Sequence, residues 1–184
     1  KIRDTASLYT GFMILARIPD FVRFTLRQCW IIIGRQTGKE IKKWSISMNL
    51  YEKLCAIAGE ENVLQDEPMS GHTTFRIGGP ADFFVTPSKA EEIRRIIELC
   101  RAEKVPYYVV GNGSNLLVGD KGYRGVIIQI YKNMNRISVA GEEISVQAGA
   151  LLSKVAAAAC EAELEGMEFA SGIPGTMGGA VRMN

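Results

Sequence analysis

Apolar residues recur at helical spacing over residues 49–58, where Leu50, Leu54, Ile57 and Ala58 share one face and Gly59 supplies a stop. Residues 62–74 are polar and read as turns. Residues 75–85 read as a strand, a Gly78-Gly79-Pro80 turn and a second strand. A helix is predicted after Pro87, with Ser88 as cap and Glu91 completing a capping box. Its buried stripe is Ile93, Ile96, Ile97 and Cys100, and Arg101 and Lys104 suit the negative end of its dipole. The apolar run Tyr107-Tyr108-Val109-Val110 predicts a strand that ends at Gly111-Asn112-Gly113-Ser114-Asn115. Further strands are expected at 116–118 and 125–130, and a hairpin at 136–147 turning at Ala140-Gly141-Glu142. Residues 150–163 form a helical pattern, and 169–184 read as a glycine-rich loop. This alternation of strands and helices predicts an α+β or α/β fold, and no fixed-period repeat interrupts it.

Charge divides the chain. Residues 1–47 carry nine Lys/Arg against three Asp/Glu, a net +6, whereas residues 48–184 carry thirteen against seventeen, a net −4. Pattern and charge both change at Met48, so 48–184 is the expected folded domain and 1–47 an extension without a recognised fold. A basic amphipathic segment lying on a membrane is the alternative for 1–47. No run reaches the roughly 18 apolar residues of a membrane span. With 47% hydrophobic and 23% charged residues, the chain is neither disordered nor fibrous. Nucleic-acid binding is disfavoured, because the basic excess is confined to 1–47, outside the expected folded domain. Cys29, Cys55, Cys100 and Cys160 form no Cys-x-x-Cys pair, and His72 is the single histidine. The expectation is therefore no metal site and buried, reduced thiols in a cytoplasmic protein.

Two glycine clusters carry the candidate chemistry. A strand ending in Gly-x-Gly-Ser-Asn lets backbone N–H groups converge on phosphate oxygens without a lysine. The position where a dinucleotide fingerprint needs its third glycine is Leu116, and no Gly-Lys-Ser/Thr occurs, so neither familiar phosphate motif applies. A plain tight turn is the alternative. The second cluster, SGIPGTMGGAV over 171–181, places four glycines and a proline in eight residues. Glycine costs backbone entropy, so this density suggests a backbone laid against a planar or extended ligand. An irregular structural loop is the alternative. His72, Arg76 and Asp82 have structural readings too, as loop-satisfying, surface and turn-ordering groups. Glu161, Glu163, Glu165 and Glu168 read as a solvated face.

The blocks HTTFRIGGPADFFV, YYVVGNGSNLLV, GYRGVII, ISVQAGALLSKVAAAA and GMEFASGIPGTMGGAVRMN, in that order, resemble the UDP-N-acetylenolpyruvoylglucosamine reductase family of peptidoglycan synthesis. The resemblance covers roughly residues 48–184. It implies a two-lobed FAD-binding domain of the vanillyl-alcohol oxidase and p-cresol methylhydroxylase type, incomplete at its C-terminus, with noncovalent FAD. NADPH is the implied hydride donor and a UDP-sugar the implied substrate. By position, Gly111, Asn112, Gly113, Ser114, Asn115 and Leu116 would hold the diphosphate of FAD. Gly172, Ile173, Pro174, Gly175, Gly178, Gly179 and Ala180 would line the flavin and ribityl chain, and Gly149, with Ala148 and Ala150, would form another wall. The family's proton-donating serine and its assisting arginine and glutamate lie beyond Asn184, so no catalytic residue is expected in this chain, and the chain alone is expected to be inactive. A sugar or lactone oxidase on the same cofactor fold, or an inactive nucleotide-binding fragment, are the competing readings.

Overall fold

The computed structural model describes residues 12–15, 31–33 and 48–183. Helix α1 (Met48–Ala58) forms where the apolar spacing predicts it, and Gly59, at φ +88°, closes it by donating its N–H to Cys55 O at 2.8 Å. The main sheet runs in the order β3 (Val63–Pro68), β4 (Pro80–Val85), β7 (Tyr123–Gln129), β5 (Tyr107–Val110). The β3–β4 pair is antiparallel; β7 lies parallel to both β4 and β5. Helix α2 (Ala90–Ala102) connects β4 to β5. Side chains alternate across a strand, so Phe83, Val85, Val126 and Ile128 face Leu50, Leu54, Ile96 and Cys100 of the helices. Phe84 and Ile127 face the other way, onto Met69, Leu116 and Val118. Both faces are covered, which is why residues 83–85 of β4 and 126–128 of β7 read as unbroken apolar runs rather than alternating ones.

A second lobe follows. The hairpin of β8 (Ile137–Ala140) and β9 (Glu143–Gln147) packs on α3 (Leu152–Glu161) through Ile144, Val146, Val155 and Ala159, with Met167 and Met177 closing the cluster. Of the first 47 residues, β1 (Phe12–Leu15) pairs antiparallel with β9 and β2 (Ile31–Ile33) pairs parallel with β6 (Leu116–Val118). The rest of that stretch, Cys29 included, lies outside the described residues. Among the described residues, no helix is long and apolar enough to cross a membrane.

Several expectations need correction. The polar stretch after residue 62 contains β3, an edge strand with only Val63 buried. Its polarity reflects solvent on its faces, and its order comes from the ladder with β4. Residues 75–77 form no strand. The N-terminus of α2 is closed by Glu92 rather than Glu91: its carboxylate accepts the Ser88 N–H at 2.7 Å and the Lys89 N–H at 3.3 Å, and Lys104 lies past the helix end. The glycine-rich tail contains α4 (Met177–Met183). Cys100 is buried, but Cys55 is only partly so and Cys160 is exposed.

Candidate functional site

The 111–115 loop leaves the C-terminal end of β5, at the edge of the main sheet. Gly113 adopts φ +71°, which favours glycine, and its carbonyl accepts the Thr74 N–H at 3.2 Å. A Cβ at Gly113 would collide with the His72 carbonyl oxygen. Among the described residues, no protein acceptor takes the N–H of Asn112, Gly113 or Ser114. Three successive amides without a described protein acceptor, with Gly113 buried and Asn112 and Ser114 half-buried, are the donor set that an anionic ligand satisfies. Leu116 differs from its neighbours: it begins β6 and buries its side chain in the core, so only its backbone borders the loop.

The second glycine loop comes from the other lobe and meets the first. Gly175 O accepts the Leu152 N–H at 2.9 Å, and a Cβ on Gly175 would have Leu152 Cδ1 and Ser114 Oγ at 3.8 Å. Gly111 packs so closely on Thr176 that a Cβ there would collide with Thr176 Oγ1. Thr176 is buried, forms a β-bridge with Leu151, and accepts the Gly179 N–H on Oγ1 at 3.4 Å and the Ala180 N–H on its carbonyl at 2.9 Å. It therefore caps α4, which the glycine content of the tail conceals. Burial holds the Tyr108 hydroxyl above its usual pKa, with the Arg182 charge of α4 pulling the other way, so β5 and α4 also sense each other.

The glycines have two distinct causes. Gly178 and Gly149 are required by the protein itself. Gly178 donates to Ala148 O at 2.8 Å and has Ala148 Cβ 2.8 Å from its own missing Cβ; buried Gly149 donates to Met134 O at 2.8 Å beneath the Tyr131 and Met134 carbonyls. By contrast, a Cβ at Gly172 would meet nothing within 4 Å. Gly172 and Pro174 are exposed, and Ile173, Gly179 and Ala180 are half-buried beside them. The expected close approach of backbone to a ligand is thus compatible with Gly172 and Gly175. At Gly111, Gly113, Gly149 and Gly178 the close approach is of backbone to protein.

Thr176 was not legible as a site residue; a threonine between Gly175 and Met177 signals nothing until α4 and the 111–115 loop are seen against it. Of the other candidates, His72 lies against the first loop, and Asp82 pairs with Arg124 at 2.9 Å while Arg124 Nη2 donates to Pro80 O at 2.6 Å, ordering the start of β4.

Residues 81–184 match the model of a family described as an FAD binding domain. The chain belongs to this FAD-binding family. Membership agrees with the amides of residues 112–114, which no described protein group accepts and which fit a diphosphate-bearing cofactor. The chain is 53% identical, over 136 residues, to the UDP-N-acetylenolpyruvoylglucosamine reductase of Alkaliphilus metalliredigens, covering 74% of this chain and 45% of that protein. It thus spans about half the length of the curated relatives it matches. The crystal structure of UDP-N-acetylenolpyruvylglucosamine reductase (MurB) from Thermus caldophilus superposes with a TM-score of 0.52 at 36% identity, over 66% of this chain and 41% of that one. p-Cresol methylhydroxylase superposes with a TM-score of 0.50 at 22% identity, over 63% of this chain and 25% of that one, a likeness of fold alone. The two-lobed fold of p-cresol methylhydroxylase type and the resemblance drawn from the sequence blocks are both borne out.

Proposed function

We propose that this chain is the FAD-binding part of a UDP-N-acetylenolpyruvoylglucosamine reductase acting in cytoplasmic peptidoglycan synthesis. The observation that carries the reading is the meeting of the two glycine loops, Gly111 on Thr176 and Ser114 beside Gly175, with the amides of 112–114 left open. FAD, when bound, would supply the redox chemistry, with NADPH as the reductant and the enolpyruvyl double bond of the UDP-sugar as the group reduced; forming UDP-N-acetylmuramate would also need a proton at the neighbouring carbon. The chain's own residues bind and orient. The amides of Asn112, Gly113 and Ser114, with the Ser114 hydroxyl, hold the diphosphate. Gly172, Ile173, Pro174 and Gly175 offer an open wall to the flavin and ribityl chain, and Thr176 keeps that wall in register with the diphosphate site. Proton donation is assigned to none of these residues.

The test has two parts. This chain should bind FAD reversibly, read by quenching of flavin fluorescence. The gene product containing these residues should oxidise NADPH only when the enolpyruvyl UDP-sugar is present. Flavin that stays on the polypeptide in a denaturing gel, or turnover of a simple sugar or lactone instead, would overturn the assignment.

A further inference from the structure

We propose that His72 is a positioning residue for the diphosphate site: held by Glu67 and Phe84, it fixes the 72–74 backbone against Gly113 and so sets how the amides of the 111–115 loop are presented. The proposal rests on the reading of that loop as the diphosphate site.

His72 ends a short 3-10 turn, Met69–His72, directly after β3. Its Nε2 lies 2.8 Å from Glu67 Oε1, both side chains being largely shielded. A carboxylate offers no proton, so Nε2 carries the hydrogen and donates it. The imidazole also lies over Phe84, centroid to centroid 3.9 Å at 31°. Phe84 is fully buried in the second face of the main sheet. The ring is thus pinned from two sides, by an edge strand and by the core.

What the pinned residue does is visible on its backbone. The His72 carbonyl occupies the space a Cβ of Gly113 would need, and the next N–H but one, from Thr74, donates to Gly113 O at 3.2 Å. In a planar trans peptide the carbonyl and the following N–H point in opposite directions. Drawing Gly113 O toward Thr74 therefore turns the Ser114 N–H to the opposite side, where no protein acceptor among the described residues takes it. Thr73, buried, fastens the far side of the segment through its hydroxyl to Ile77 O at 3.0 Å. Met69 and Ser70 are tied separately, to Gly79 O and Gly78 O. Between those anchors and Thr73, the side-chain attachment of the segment is His72. Loss of the Glu67 contact frees the 72–74 backbone to tilt and the Gly113–Ser114 peptide with it.

The experiment compares FAD affinity, by flavin fluorescence, with apo-protein melting in His72→Ala, His72→Gln, Glu67→Ala and Ser114→Ala. A control, Ile96→Val, perturbs the opposite face of the sheet. His72→Ala should weaken FAD about tenfold, the scale of a hydrogen bond to a charged partner. His72→Gln, whose amide can still donate to Glu67, should return to within about threefold of the wild type. Glu67→Ala should weaken FAD in the same direction, and keeps the proposal testable if His72→Ala does not fold. Ile96→Val should lower melting while leaving affinity unchanged. The proposal is overturned if His72→Ala and Glu67→Ala bind FAD as the control does, or if His72→Gln loses as much as His72→Ala. Unchanged affinity in Ser114→Ala would instead remove the diphosphate reading itself, whereas a loss in Ser114→Ala alone removes only the role of His72.

Discussion

Neighbouring residues in the 111–115 loop answer to different forces, and substitution should separate them. Gly113 needs glycine twice over, for its φ of +71° and for the His72 carbonyl lying where a Cβ would go. Neither requirement involves a ligand. Gly113→Val should therefore lower apo-protein melting strongly, and its loss of FAD affinity would follow from misfolding. Ser114 is half-buried and its amide has no protein partner among the described residues. Ser114→Ala should leave apo melting nearly unchanged and cost about 1–3 kcal/mol of FAD binding, the worth of a hydrogen bond to a charged group. Parallel titration and thermal melting of the two variants checks both halves; a melting loss in Ser114→Ala as large as that in Gly113→Val would make the loop a plain turn. The sequence marks this loop as special because glycine density is visible. It does not reveal which glycine serves the ligand, because the opposing atoms come from His72, forty-one positions away.

At the scale of elements, the helices with a strong apolar stripe were legible, and their ends less so. Helix α2 ends in a Schellman motif: Val105 N–H bonds Cys100 O at 2.8 Å and Lys104 N–H bonds Arg101 O at 3.2 Å. The residue in the left-handed position is Lys104, at φ +55°, where glycine is the usual occupant. Helix α3 ends the same way with Glu163 at φ +55° and Leu164 N–H on Ala159 O at 2.9 Å. Here the buried partners decide: Val105 packs on the cluster containing Cys100, and Leu164 on the one containing Ala159. Left-handed backbone costs a non-glycine residue about 1–2 kcal/mol, and glycine forfeits about half of that in unfolded-chain entropy. Lys104→Gly should thus stabilise the apo-protein by about 0.5 kcal/mol in urea unfolding, after a small loss of dipole interaction. Lys104→Ala keeps the strain and should gain nothing. Strand β3 and helix α4 were illegible for a related reason. Each is polar or glycine-rich locally and is formed by a partner, β4 in one case and the Thr176 cap with Ala148 in the other.

The whole molecule is two lobes whose alignment the proposed cofactor site requires, since the open amides belong to one and the Gly172–Gly175 wall to the other. Sequence blocks place both loops in order but cannot show that they touch. The contact is Gly111 on Thr176. Gly111 does not have a positive φ, so alanine is conformationally allowed there and the collision with Thr176 Oγ1 is its main obstacle. Gly111→Ala should push the lobes apart at this point, costing about 1–3 kcal/mol, the usual scale of overpacking, and weakening FAD as well. Thr176→Ala alone should cost about 1 kcal/mol, because it uncaps α4. In the double variant the hydroxyl is gone, and the nearest remaining Thr176 side-chain atom, Cβ, lies 3.4 Å from the new methyl, an ordinary van der Waals contact. The two substitutions should therefore be less damaging together than their sum, with a coupling energy of about 1–2 kcal/mol in urea unfolding. FAD affinity should recover in step if the joint between the lobes sets the geometry of the site. Additive losses would mean that the lobes are held in register elsewhere, for instance where Asn133 of the connecting segment donates to Thr86 O at 2.8 Å.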